Sequence, residues 1–561
     1  MYFARVLSIL LAFCAGAFAQ QNADAIFHAR AIHTLEPGFD GADSLAVAGD
    51  RILAIGRAAD LERLATAKTR RIRVDGVMLP GLIDAHGHVA GLGSYGLGLL
   101  DLSSAKSFDD VIAAVREKAK TARKGEWILG GRWDHESWPD RKLPTHERLS
   151  EAAPENPVWL RRVDGHAGLA NALAMRIAGV TKSTEAPPGG EIIRDASGEP
   201  TGVFVDNAMN AIAVRAGAAS KSTEDLILKA QEMCLAAGLT GVHDAGVSPA
   251  EVEVYQRLER EGRLKLRVYG MLASAYAKDW FVKNPRIIGP RFTLRATKAY
   301  ADGAMGSRGA WLLAPYADRP SDADGKPYTG LAVSTPESIR EIARDAVARG
   351  YQVCTHAIGD RANREVLDAY AVAIRDAAPG GAAVKPDHRF RIEHAQLLAP
   401  ADIPRFAQLG VIASMQPTHC TSDMRWVDAR VGPERSRGSY AWNSLLKSGA
   451  ALAFGSDFPV ESHNPMLGLY AGVTRQTVDG QPAGGWHADE RLSREQTLRA
   501  HTLGAAYAAF EENDKGTLKP GKLADFVIVD RDFFACPERD IASMKVLMTV
   551  VGGEVVYEAG T

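Results

Sequence analysis

The chain has 561 residues, 46% of them hydrophobic and 24% charged, enough for a large buried core and for about two to four structural units. Its 66 Lys and Arg stand against 68 Asp and Glu, a formal charge of −2. It therefore lacks the electropositive footprint that phosphate backbones require, and no nucleic-acid partner is expected. No low-complexity tract, Gly-X-Y period or solenoid-length repeat is visible, which excludes disorder, collagen and repeat architectures.

Met1 to Gln20 reads as a secretory signal peptide. A basic start at Arg5 is followed by an apolar run from Val6 to Phe18 and an Ala17-Phe18-Ala19 end before Gln20-Gln21, and cleavage after Ala19 is expected. The run is too short for a comfortable membrane span, and Phe13 is bulky for the position before a lipid-modified Cys14. The expectation is export, to the periplasm or the medium, with no stable membrane insertion after cleavage. The remaining cysteines, Cys234, Cys354, Cys420 and Cys536, are scattered and form no CxxC. Neither a disulfide framework nor a thiolate zinc site is expected, and buried thiols are the reading.

The chain then alternates strand and helix. Ser44–Gly56 reads as strand, Gly-Asp turn, strand. Val77–Asp84 reads as the first of eight strands that alternate with capped helices. The others are Thr240–Asp244, Leu266–Ala273, Phe292–Ala301, Gln352–His356, Phe390–His394, Val411–Gln416 and Leu452–Asp457. Between them, Ser107 and Thr335-Pro336 mark helix starts, and Ser493-Arg494-Glu495-Gln496 is a capping box opening a last long helix. Eight such units imply an α/β fold of the (β/α)8 TIM-barrel type over 77–506. The first strand lacks a GxGxxG, which weakens a dinucleotide-binding alternative. The ends, 20–76 and 507–561, read as β-rich pieces pairing into one small β-sandwich. The stretch 127–206 is irregular, rich in Pro, Gly, Trp and Arg, and reads as a subdomain inserted after the first barrel strand.

Pro80-Gly81-Leu82-Ile83-Asp84-Ala85-His86-Gly87-His88 carries the sharpest chemistry. Alternation sends His86 and His88 to the same side of the strand, where two imidazoles can bind one metal ion. His356, His394 and Asp457 fall at the ends of strands five, six and eight, and a barrel gathers strand ends at one face. Four neutral imidazoles and a carboxylate suit Zn2+ or a similar divalent ion. No GxSxG offers a competing serine nucleophile.

These stretches, with Trp133-Asp134-His135, Thr297-Lys298-Ala299-Tyr300-Ala301-Asp302-Gly303-Ala304, Thr355–Asp360, Arg391–Ala395 and Gly455-Ser456-Asp457, resemble the amidohydrolase superfamily. The fuller text is similar to its YtcJ-like branch (amidohydrolase family 3), which includes N-substituted formamide deformylases. The resemblance runs from about Ala25 to Val556. It implies a centre of two divalent metal ions, with zinc the leading metal and manganese, iron or cobalt also compatible with the ligand types. His86, His88 and Asp457 would hold one ion and His356 and His394 the other. Lys298 would bridge them as a carbamate formed with carbon dioxide, with Asp302 the alternative carboxylate. Asp457 would be the catalytic residue that carries the proton to the leaving nitrogen.

Contacts to a small-molecule substrate are expected from Arg132, His135, Arg162 and His166 in the insertion, and from His419 and Trp426 after strand seven. Trp127, Trp133, Trp138 and Trp159 are further candidates for a pocket wall. The expected reaction is hydrolysis of a non-peptide C–N bond in an amide, formamide or N-acyl amine. One alternative is a mononuclear N-acyl-amino-acid deacylase or deaminase on the same fold. Another, from a different class, is a periplasmic ligand-binding protein without turnover, which Asp457 argues against. A homodimer is compatible with the superfamily resemblance. Substrate specificity is expected to reside in the loops and the insertion.

Overall fold

The computed structural model describes residues 22–216, 222–322, 324–377 and 387–560. The signal segment and Cys14 lie outside them. Eight parallel strands form one sheet: β1 (Leu82–Gly87), β2 (Leu239–Val247), β3 (Arg267–Ala273), β4 (Phe292–Tyr300), β5 (Gln352–Ala357), β6 (Arg391–His394), β7 (Ile412–Met415) and β8 (Leu452–Phe454). Neighbours in the sequence pair in order from β1 to β8. The ends meet through a parallel bridge between Gly87 and Phe458, where Asp457 N donates to His86 O at 2.7 Å and His88 N to Phe458 O at 2.7 Å. The fold is an α/β TIM-like barrel.

Local chemistry accounts for the helices between the strands. Ser248 caps Pro249–Arg260 with a complete capping box closed by Glu251, satisfying amide donors that the first turn leaves free. Thr335 caps Pro336–Ala348 with Pro at the first helical position. The capping box at Ser493 is present, but the long helix expected after it is two short ones, Arg494–Ala500 and Leu503–Ala508.

Two boundaries differ from the sequence reading. Val77–Pro80 is not part of the barrel: it pairs with Phe526–Val529 and Ala31–Ile32 in a five-stranded sheet built from both ends of the chain. Gly81 makes the crossing, since a Cβ there would lie 2.3 Å from Thr240 Oγ1. A four-stranded sheet that includes Ala25–His28 and Ser44–Ala48 shares an apolar cluster with that five-stranded sheet, around Phe27, Leu45, Met78, Phe526 and Met548. The stretch between β1 and β2 is not irregular either. It holds a six-stranded sheet that starts at Leu100–Asp101 and ends at Pro200–Asp206. The Ser107-capped helix Phe108–Thr121 packs on it through Val111, Ile112 and Val115. Trp133, Trp138 and Trp159 are core residues of this unit rather than pocket walls, and Trp127 packs against it.

Cys234, Cys354 and Cys420 are buried free thiols, while Cys536 is half-buried. No helix among the described residues is long and apolar enough to cross a membrane.

A buried ion pair helps join the barrel to the five-stranded sheet. Arg267 of β3 grips Asp525 with both arms, Nε to Oδ2 at 2.6 Å and Nη2 to Oδ1 at 2.9 Å. Both residues are buried. Burial alone would raise the Asp525 carboxyl, but Arg267 outweighs it and holds the group below its ordinary value. A depressed carboxyl contributes stability above its unfolded pKa and loses it as pH falls through the folded one. Asp525→Asn is therefore expected to cost about 3–5 kcal/mol at neutral pH, the cost of stranding a buried charge. Urea denaturation at pH 7 and below about pH 4 should show that deficit shrinking in acid. An unchanged deficit would contradict the charge argument.

Candidate active site

At the C-terminal mouth of the barrel, three candidate ligand histidines are locked from behind. His86, fully buried, donates from Nδ1 to Glu393 Oε2 at 2.5 Å. His88 donates from Nδ1 to the Ala245 carbonyl at 2.9 Å, and His394 from Nδ1 to Gln416 Oε1 at 2.8 Å. A proton fixed on Nδ1 leaves the Nε2 lone pair free, the form that binds metal. Burial, reinforced by neighbouring cationic groups, holds His356 and His394 well below the usual imidazole range and His86 down to about 4. These rings are neutral at physiological pH, the form a metal ion would require.

Asp457 faces them. His88 Nε2 lies 3.0 Å and His86 Nε2 3.6 Å from its Oδ1, and His419 Nε2 lies 3.7 Å from its Oδ2. Asp457 Oδ1 and His419 Nε2 are buried without hydrogen-bond partners. A carboxylate oxygen confronting imidazole lone pairs at such range needs a shared cation. Among the described residues two donor sets meet this condition: His86, His88 and Asp457, and His394, His419 and Asp457. The residues fit a divalent metal, by donor type and by orphaned buried atoms. Burial works against ionisation of Asp457, but the adjoining His88 and the electrostatic influence of the His86, His88 and His394 rings hold it well below its ordinary value.

Backbone conformation brings two of these side chains inward. His394 has φ 72° and Asp457 φ 61°, left-handed values that cost a non-glycine residue about 1–3 kcal/mol each. Asp84 steadies the second, accepting from Ser456 N at 3.0 Å and Ser456 Oγ at 2.6 Å and so tying β1 to the segment after β8.

His356 stands apart from both donor sets. Its Nε2 lies 3.6 Å from Asp302 Oδ1 and 3.5 Å from Gly303 O, while its ring is 4.5 Å from that of His394. Asp302 accepts from the amides of Trp311, Ile358 and Gly359, and burial raises its carboxyl to about 7. Those bonds occupy it as a structural acceptor. Lys298, on β4, is buried, with Nζ 3.0 Å from His86 Nε2, and burial lowers its amine to about 8.

Two adjoining cavities, of about 290 and 680 Å3, meet at His356, His394 and Asp457. Arg132, Arg162 and His166 line both, and His419 and Trp426 line the smaller one. Lys298 and Tyr300 line the larger. His135 lines neither. It is buried behind Arg162, whose Nε reaches His135 Nδ1 at 3.2 Å, so the expected direct substrate contact is corrected to a supporting one. Arg162 is neutralised by Asp134 at 2.6 Å and Asp164 at 2.5 Å, and Arg132 bonds Asp101 at 2.9 Å. His166 Nδ1 lies 2.5 Å from Asp206 Oδ1.

Sequence reasoning missed three groups. Glu393 braces His86 from the barrel interior. Arg430 pairs with Glu136 and Asp318, fastening the loop after β7 to the six-stranded unit. Asp423 and Glu461 line the smaller cavity. For Glu393 a signal existed: Arg391 and Glu393 share one face of a buried strand, and buried charges require partners.

A family model described as amidohydrolase family matches residues 75–557. Protein LONG AFTER FAR-RED 3 of Arabidopsis thaliana is 36% identical over 94% of this chain and 90% of its own. The putative amidohydrolase YtcJ of Bacillus subtilis is 31% identical over 95% and 99%. The N-substituted formamide deformylase of Arthrobacter pascens is 27% identical over 94% and 97%. Among solved structures, an uncharacterized metal-dependent hydrolase from Pyrococcus horikoshii superposes with a TM-score of 0.71 at 26% identity, covering 92% of this chain and 99% of its own. The chain belongs to the amidohydrolase family, and it is a hydrolase of carbon–nitrogen bonds.

Proposed function

We propose that the protein is an exported hydrolase that cleaves a small non-peptide amide, formamide or N-acyl amine at a centre of two divalent ions, zinc first among them. The observation that carries this reading is the buried Asp457 carboxylate facing unprotonated imidazole nitrogens. The relative that acts on N-substituted formamides supports the substrate class. His86, His88 and Asp457 would hold one ion. His394 with His356 or His419 would hold the other, and Lys298 would join the two as a carbamate. Bound there, the ions supply an acidified water and an electrophile for the amide carbonyl.

The chain's own groups do the rest. Asp457, ionised and without a hydrogen-bond partner on Oδ1, takes the proton of the attacking water. It then delivers that proton to the amide nitrogen as the C–N bond breaks. Ala245 O and Gln416 keep His88 and His394 oriented. Arg132, Arg162 and His166 wall the space where the two cavities meet and orient the substrate there. We also read the six-stranded unit, from Leu100 to Asp206, as a subdomain inserted after the first barrel strand, and the two terminal sheets, Val77–Pro80 included, as a composite sandwich. In support, each region has its own apolar cluster.

A second reading has one observation in its favour. His356 lies outside both donor sets, as a single-ion N-acyl-amino-acid deacylase or deaminase would allow. Elemental analysis of protein purified without chelators separates the two, with an N-formyl and N-acyl amine panel run on the same sample. Close to two ions per chain with turnover of the panel is expected, and about one ion selects the second reading. No ion after refilling with zinc removes both. A mass spectrum of that sample starting at Gln20 would support export, and retention of Met1 would overturn it.

A further inference from the structure

The rear face of the site is an ionic stack inside the barrel. His86, Glu393 and Arg391 are all fully buried. Glu393 accepts from His86 Nδ1 through Oε2, the same oxygen takes Arg391 Nη2 at 3.0 Å, and Oε1 lies 2.7 Å from Arg391 Nε. Arg391 is itself fixed by three other strands. Nη2 donates to Ala85 O of β1 at 2.6 Å and to Ser414 Oγ of β7 at 2.7 Å, and Nη1 donates to His243 Nδ1 of β2 at 2.8 Å. TIM-barrel interiors are ordinarily filled by branched apolar side chains, so a full charge pair at this depth is costly unless it serves another group. The brace also differs from the others at the site. His88 leans on a backbone carbonyl and His394 on a neutral amide.

We propose that Glu393, clamped by Arg391, is the positioning residue that holds His86 in its ligating tautomer and orientation, so that metal affinity depends on a carboxylate that does not ligate. This rests on the metal-centre reading above. A charge-assisted bond of this kind both aims the ring and makes its free nitrogen a better donor.

The test compares three variants with the parent holoenzyme: Glu393→Asp, Glu393→Gln and the double variant Glu393→Gln with Arg391→Met. Glu393→Asp keeps the charge and the arginine partner but draws the carboxylate away from His86. The double variant removes the arginine charge that a lone Glu393→Gln would leave unpaired. Each is stripped with a chelator and reloaded. Zinc affinity is read by chelator competition, the cobalt-substituted site by its visible absorption, and folding by circular dichroism and urea midpoint. The expected result is affinity weakened by about 10–100-fold and an altered cobalt spectrum in every variant that remains folded. Affinity within about twofold of the parent, with only the urea midpoint lowered, would make the stack merely structural and overturn the proposal. A parent that binds no metal would overturn the underlying functional reading instead.

Discussion

Asp457→Asn is expected to lower kcat by about 10³-fold or more, within the range that removal of a general acid–base group produces. Asparagine preserves the shape of the side chain and one weak oxygen donor, but it cannot accept the proton of the attacking water. The surroundings make the substitution informative. Asp457 is held in an unfavourable backbone conformation at φ 61°, and its neighbour Ser456 is tied to Asp84 by three contacts. The loop should therefore stay in place when the carboxylate is lost. Two effects then have to be separated, weaker metal retention and loss of proton transfer. Kinetics at saturating metal remove the first. If kcat stays within tenfold of the parent under those conditions, another group carries the proton. Asp457→Glu offers the opposite control: the charge remains, but the added methylene must fit against His86, His88 and His419, which already lie 3.0–3.7 Å away. Activity between that of the parent and Asp457→Asn is expected.

The barrel was legible because eight short strands are separated by helices whose caps are written in local residues. The histidines were legible because they fall at the ends of those strands. What escaped the sequence was set by distant contacts. Val77 to Ile83 is one apolar run, buried on both sides of Gly81, so periodicity gives no reason to divide it. The division comes from Phe526–Val529, more than four hundred residues away, pairing with its first half. The six-stranded unit read as irregular because its glycines look like breakers. Gly168 lies beneath the Trp159 ring, where a Cβ would come within 2.2 Å, so that glycine is a packing partner within a strand. Glu393 sat inside a quoted motif but had no visible partner, since His86 precedes it by 307 positions. His394 reaches the mouth for a subtler reason than alternation. Arg391 and Glu393 take the inward face, and it is the left-handed backbone at His394 that turns the next side chain into the mouth.

Lys298→Ala is expected to remove about one metal ion per chain relative to the parent and to lower kcat/KM by about 10²-fold or more. That loss corresponds to several kcal/mol of charge stabilisation supplied by the second ion. Carbamate formation depends first on the state of the amine. Only a neutral amine can attack carbon dioxide, and burial lowers Lys298 from 10.5 to about 8. At pH 7 about one amine in ten is then neutral, against about one in 3,000 for an unperturbed lysine. A carbamate anion would also answer the local charge problem, since two divalent ions beside one carboxylate leave an excess of positive charge in a buried site. Without that modification, the ammonium 3.0 Å from His86 Nε2 would compete with a metal for the same lone pair. The side chain removed by the substitution leaves room for a small carboxylic acid. Added formate or acetate should therefore restore part of the activity and the second equivalent of metal together. Retention of both ions and of most activity in Lys298→Ala would reject the bridge and leave Lys298 a hydrogen-bond donor to His86.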